Sequence, residues 1–224
     1  MAEAHEVQVS DKFLRAAQWA ADRHAAHSTA VPTVPSVAQV LGLASLVLED
    51  GGSEREAIAA MLLDALGDDV PRKALRERFG KKATRLVVAC HAERGTIAPG
   101  RVPVDVTEWR RRAEAALARA VEEDDPRALR IRAASVLQEA RALQRELRRN
   151  GVIAYVRCPA PPTEHLAHLS ELSTVLARRR PRSGRFAAQV RQQRDRLVGP
   201  GHADREADVG HQVLIPSPAA DGSG

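Results

Sequence analysis

The feature that most constrains this chain is the spacing of its apolar residues. They recur every three or four positions through most of its length and are interrupted only by glycine, proline and short polar runs. That period belongs to an amphipathic α-helix and not to a strand. Phe13, Ala17, Ala20, His24 and His27 form one stripe of a first helix that begins near Ser10 or Asp11. Between Ser36 and Glu49 apolar side chains cover most of the circumference, as in a helix enclosed by others, and Gly51-Gly52 ends it. Ser53 and Glu56 stand at capping-box spacing before a third helix, whose Ile58, Met61, Leu62, Ala65 and Leu66 repeat at helical intervals until Gly67. Asp64, Asp68 and Asp69 crowd the carboxyl end of that helix, where its dipole disfavours negative charge.

Further helices are expected from Pro71 to Phe79, from Lys81 to Ala92 and from a cap at Thr107. Asp125-Pro126 supplies a cap and a first-turn proline for the longest helix, which Asn150-Gly151 stop. Thr163 is expected to cap the next, with Leu166, Leu169, Leu172, Leu176 and Ala177 on its inner face, and a last, basic helix runs from Ser183 to Leu197. Residues 95–104 read as a loop, and 152–156 as a short strand or an extended connector. The pattern predicts an all-α, compact multi-helix bundle at 10–198, between a flexible amino terminus at 1–9 and a disordered tail at 199–224.

Composition narrows the function classes. At 44% hydrophobic the chain is too apolar for wholesale disorder, yet charge interrupts every long apolar run and the first six residues are acidic. Neither a membrane span nor a signal peptide is expected, so the chain reads as cytoplasmic. Cys90 and Cys158 form no CxxC pair and read as buried thiols, and there is no GxSxG elbow or glycine-rich phosphate loop. The net charge is +5, and thirty of the 34 basic residues are arginine. Arg141, Arg145, Arg148 and Arg149 share a helix face, and Arg178 to Arg182 with Arg185, Arg191, Arg194 and Arg196 make the carboxyl-terminal part the most basic. Such a stripe suits nucleic-acid phosphates, but at 3% aromatic residues the chain has little to stack on bases, which favours a solvated arginine face. His165 and His168, and His202 and His211 in the tail, lack an acidic or thiol partner at diagnostic spacing and read as incidental.

Taken in order, five segments carry a family resemblance: Phe13 to His24; Val34-Pro35-Ser36-Val37-Ala38-Gln39; Ala44 to Gly51; Glu56 to Ala65 with its Leu63-Asp64; and Leu75 to Gly80. Together they resemble the HD-domain phosphohydrolases, in particular the branch containing the guanosine polyphosphate hydrolases of the bacterial stringent response. The similarity continues through Ala140 to Leu143 and the helices around Leu166 to Leu197.

The resemblance implies an all-helical fold and a divalent metal, typically manganese. The ion is held by histidines on the first and second helices, a His-Asp pair on the third and a later aspartate. Here His24 matches the first ligand and Asp64 the aspartate of the pair. Gln39, Leu63 and Ser135 occupy the remaining ligand positions. Gly67-Asp68 stands for the acidic pair that assists hydrolysis, Ser135, Gln138 and Glu139 replace Asp, His and Asn, and the loop from Ala25 to Thr33 has no Arg or Lys to grip phosphate.

Leucine cannot coordinate a cation, and glutamine and serine bring neither the charge nor the basicity of what they replace. The resemblance therefore implies a pseudoenzyme without resident metal or cofactor, with His24 and Asp64 vestigial and a binding or regulatory role toward a protein or nucleotide. Two rivals stand beside it. One is an active manganese- or zinc-dependent phosphohydrolase with a rearranged site on His24, His27 and Asp64. The other is nucleic-acid binding through the arginine-rich carboxyl-terminal helices. The leading reading places His24, Gln39, Leu63, Asp64 and Ser135 around one pocket.

Overall fold

Helix-forming periodicity is realised almost throughout. The structure, a computed structural model, describes residues 9–26, 36–63, 70–91, 106–150 and 162–179, together with 188, 189, 192 and 195. Eight α-helices run through them: α1 (Asp11–Ala26), α2 (Ser36–Glu49), α3 (Glu54–Met61), α4 (Arg72–Phe79), α5 (Lys81–His91), α6 (Val106–Glu122), α7 (Pro126–Asn150) and α8 (Pro162–Arg179). The expected features at 95–104, 152–156 and 199–224, and nearly all of 1–9 and 183–197, lie outside the described residues. No described helix is long and apolar enough to cross a membrane.

The centre of the bundle is α3. From Glu56 to Met61 every residue is buried, which an eight-residue helix achieves only when neighbours surround it. Those neighbours are α1, α2, α5 and α7. Leu43, Leu46 and Val47 of α2 and Ile131, Ala134 and Leu137 of α7 fill the space around Ile58, Met61, Leu62 and Leu63. Leu75 and Phe79 of α4 and Leu86 and Val87 of α5 close one end, with Trp19 set edge-on to Phe79 at 5.8 Å. Cys90 is buried as expected, its Sγ 3.8 Å from the Ala128 carbonyl; Cys158 lies outside the described residues. α8 lies against both α7 and α6.

Local sequence signals account for how the helices start and stop. α2 ends in a Schellman turn: the Gly52 N–H donates to the Val47 carbonyl at 2.8 Å and the Gly51 N–H to that of Leu48 at 2.9 Å, with Gly51 at φ +73°. A side chain at 52 has no room, because a Cβ there would lie 2.5 Å from the Val47 carbonyl oxygen, a backbone atom that cannot swing aside. We expect Gly52→Ala to lower stability by about 1–3 kcal/mol, read by urea unfolding; an unchanged midpoint would contradict the packing described. The capping box forms as its spacing predicts: Ser53 Oγ accepts from Glu56 N at 3.4 Å and Glu56 Oε2 from Ser53 N at 2.8 Å.

The other carboxylate oxygen of Glu56 reaches α7, where it accepts from Arg130 Nη1. Arg130 Nε also donates to Asp50 Oδ2, at 3.1 Å, so one guanidinium ties the end of α2 and the start of α3 to α7. Both carboxylates are buried, as is most of the arginine. Asp125 caps α7 through the Arg127 N–H at 3.0 Å, with Pro126 at the first helical position.

Three boundaries differ from expectation. α3 stops at Met61 and does not reach Gly67. The Leu62 N–H is shared between the Ile58 and Ala59 carbonyls, each at 3.2 Å, which tightens the last turn and leads into a 3₁₀ step at Leu63. α8 begins at Pro162, before Thr163, because a proline lacking its N–H suits the first helical position. α6 begins at Val106, one residue before the expected cap.

Candidate metal centre

The helices expected to supply a metal cage do pack together. α2 lies against α3 and α7, and α1 against α2 and α3. Gln39 sits in the first turn of α2 and Ser135 in the middle of α7, both half-buried. One turn beyond Gln39, Gly42 is overlain by Gln138, which stands one turn beyond Ser135; a Cβ on Gly42 would come within 2.7 Å of Gln138 Nε2. The α2 and α7 faces carrying Gln39 and Ser135 are thus apposed. Leu63 is 1% exposed and belongs to the main apolar core. His24 lies in the last turn of α1, while its side chain, together with Asp64 and His27, falls outside the described residues.

His91, at the end of α5, was not legible as a site residue. Its Nδ1 donates to the Leu63 carbonyl at 2.8 Å, placing an imidazole beside the residue that resemblance puts in a ligand position. No spacing in the sequence signals this, because the contact arises only when α5 folds back on α3.

At the described positions the side chains are poor ligands for a divalent ion. A hydrocarbon side chain, an amide and a hydroxyl stand at three of the expected positions, and no group of three His, Cys, Asp or Glu among the described residues is placed to hold a metal.

A second polar cluster lies between α6, α7 and α8 and contains His165 and His168, with an acidic partner for His165 that the sequence spacing does not signal. His165 is 3% exposed, and its Nε2 lies 2.8 Å from Glu139 Oε1. The Trp109 indole meets both imidazoles edge-on, at 6.1 Å from His165 and 5.7 Å from His168. His168 Nδ1 is buried without a hydrogen-bond partner among the described residues. At the outer edge the Arg110 guanidinium holds the Glu164 carboxylate at 2.8 and 2.6 Å.

Burial pushes the His168 imidazole below its usual pKa; Glu139 and Glu171 oppose the shift and His165 adds to it. The unfolded chain therefore takes up this proton first as pH falls. The neutral ring's contribution is present above the unfolded value of about 6.5 and is lost as pH falls through the depressed folded value. Urea unfolding at about pH 7.5 and about pH 5.5 should show a loss of stability in acid that is smaller in His168→Leu; identical pH dependence in the two proteins would refute this.

Along α7, burial pushes the Arg145 guanidinium down, and so do Arg141 and Arg149 one turn to either side. Arg179 is not a free member of the stripe: its Nη2 donates to the Glu123 carbonyl at 2.6 Å and to Asp124 Oδ1 at 2.8 Å, pinning the end of α8. Arg180, Arg182, Arg185, Arg191, Arg194 and Arg196 lie outside the described residues.

Among the described residues, a helical bundle in which the first three helices and a long later one pack together defines a recognisable class. The model of the HD domain family matches residues 16–155, and the chain belongs to that family. Among solved structures it is similar to a metazoan ortholog of SpoT, described as hydrolyzing ppGpp and playing a role in starvation responses. The TM-score is 0.63 and the identity 18%, over 87% of this chain and 99% of that one, which shows a shared fold. No curated protein matches the chain significantly.

Proposed function

We propose that this chain is a catalytically degenerate member of the HD domain family, similar to guanosine polyphosphate hydrolases, whose role is to bind or regulate a protein or nucleotide partner without hydrolysing it. The observation that carries this reading is Leu63. By resemblance it stands where the family has a metal-binding histidine, and its side chain is 1% exposed among core residues. A divalent ion in such a site polarises phosphate and lowers the pKa of a bound water toward 7, and a site without the ion has no hydroxide to offer. Gln39 and Ser135 point the same way: both are neutral, and they lie on apposed faces of α2 and α7.

The test is turnover. The purified full-length protein with added manganese should release neither phosphate nor pyrophosphate from guanosine polyphosphates or nucleoside triphosphates above the buffer rate. Turnover that disappears in His24→Ala or Asp64→Ala would overturn the proposal in favour of a rearranged metal site.

A further inference from the structure

Charge is unevenly placed on this molecule. Residues 70–91 hold seven Lys or Arg against the single acid Glu77, a net of +6 that exceeds the +5 of the whole chain. All seven are exposed, while the apolar residues of the same helices, Leu75, Phe79, Leu86 and Val87, are buried. One flank of α4 carries Arg72, Lys73 and Arg76; the outer face of α5 carries Lys81, Lys82 and Arg85. The two helices pack on each other and meet at Gly80. Lys12 joins from α1, with its Nζ 4.0 Å from where a Cβ on Gly80 would stand. The four lysines of the chain, Lys12, Lys73, Lys81 and Lys82, thus all belong to this corner.

Helix stability does not explain the arrangement. Arg72-Lys73 and Lys81-Lys82 occupy the first turns of α4 and α5, where the dipole disfavours cations, and neither first turn has an acid. Glu77 offers only a loose contact to Lys73, at 4.0 Å between two largely exposed side chains.

We propose that the α4–α5 corner, with Lys12, is a docking surface for the phosphate backbone of a nucleic-acid duplex, read without regard to sequence. The side chains of α4 and α5 favour this occupant over its competitors. Insertion into a membrane interface and anchoring of a protein partner both need exposed apolar or aromatic side chains, and Leu75 and Phe79 point inward. Single-stranded bases need aromatic platforms, and Phe79, the only aromatic of these two helices, is 2% exposed against Trp19. An array of long cations is left, which matches a regular polyanion.

The test is a salt series with the full-length chain and a DNA duplex of about 24 base pairs. With about six phosphates neutralised, affinity should fall roughly 10³-fold between about 50 and about 200 mM salt. Combined Lys73→Ala, Lys81→Ala and Lys82→Ala should reduce the slope by about three with an unchanged thermal melt, and Arg148→Ala with Arg149→Ala should leave it as it was. Absence of binding at low salt, or a triple variant that keeps the original slope, overturns the proposal. So does displacement of the duplex by phosphatidylserine vesicles or polyglutamate at equal charge concentration.

Discussion

Arg130→Ala should lower the stability of the folded chain by about 3–5 kcal/mol, measured by equilibrium urea unfolding, the largest effect expected of any single substitution at an ion pair here. The guanidinium bridges Asp50 and Glu56, whose side chains are 2% and 5% exposed, so its removal leaves two buried carboxylates without this counter-ion. Glu56 also closes the cap of α3, and the damage therefore spreads to the start of the central helix. A buried charge that has lost its partner is worse than no charge at all. Adding Asp50→Asn and Glu56→Gln to Arg130→Met should accordingly recover much of the loss. A loss below about 1 kcal/mol for Arg130→Ala would mean that the triad behaves as an exposed surface pair, contrary to its burial.

Leu63→Ala should destabilise by about 2–5 kcal/mol, since it empties a position enclosed by the main core. This substitution bears on function as well as on stability. A side chain lining an open cleft is truncated at small expense, whereas one absorbed into the core leaves a cavity behind. Leu63→His should also be destabilising, and should restore no manganese binding, because Gln39 and Ser135 still offer only neutral oxygen and nitrogen. Near-neutral behaviour of Leu63→Ala would place residue 63 outside the close-packed core and weaken the case for degeneracy.

Features fixed by neighbours in sequence were legible from the start. The Ser53-Glu56 capping box, the Gly51 helix stop and the Asp125-Pro126 start each depend on residues within one turn, and each forms as its spacing predicts. The end of α3 was not legible, because the apolar period continues past Met61 while the backbone tightens into a 3₁₀ step under core packing. Contacts between distant helices left even less trace. The contacts of His165 were not legible because its partners Glu139 and Trp109 come from α7 and α6, and His91 could not be linked to Leu63 before α5 was placed against α3. The cationic side chains of the α4–α5 corner are plain in the sequence, but not that Lys12 reaches them from α1. As for the vestigial ligand positions, resemblance supplied them; the fold adds the burial of Leu63 and the apposition of the Gln39 and Ser135 faces.

The most direct measurement is the metal content of the protein, as isolated and after incubation with excess manganese and desalting, read by elemental mass spectrometry. Degeneracy predicts far less than one equivalent of manganese or zinc per chain in both states. A stoichiometric ion that is lost in His24→Ala or Asp64→Ala would contradict it.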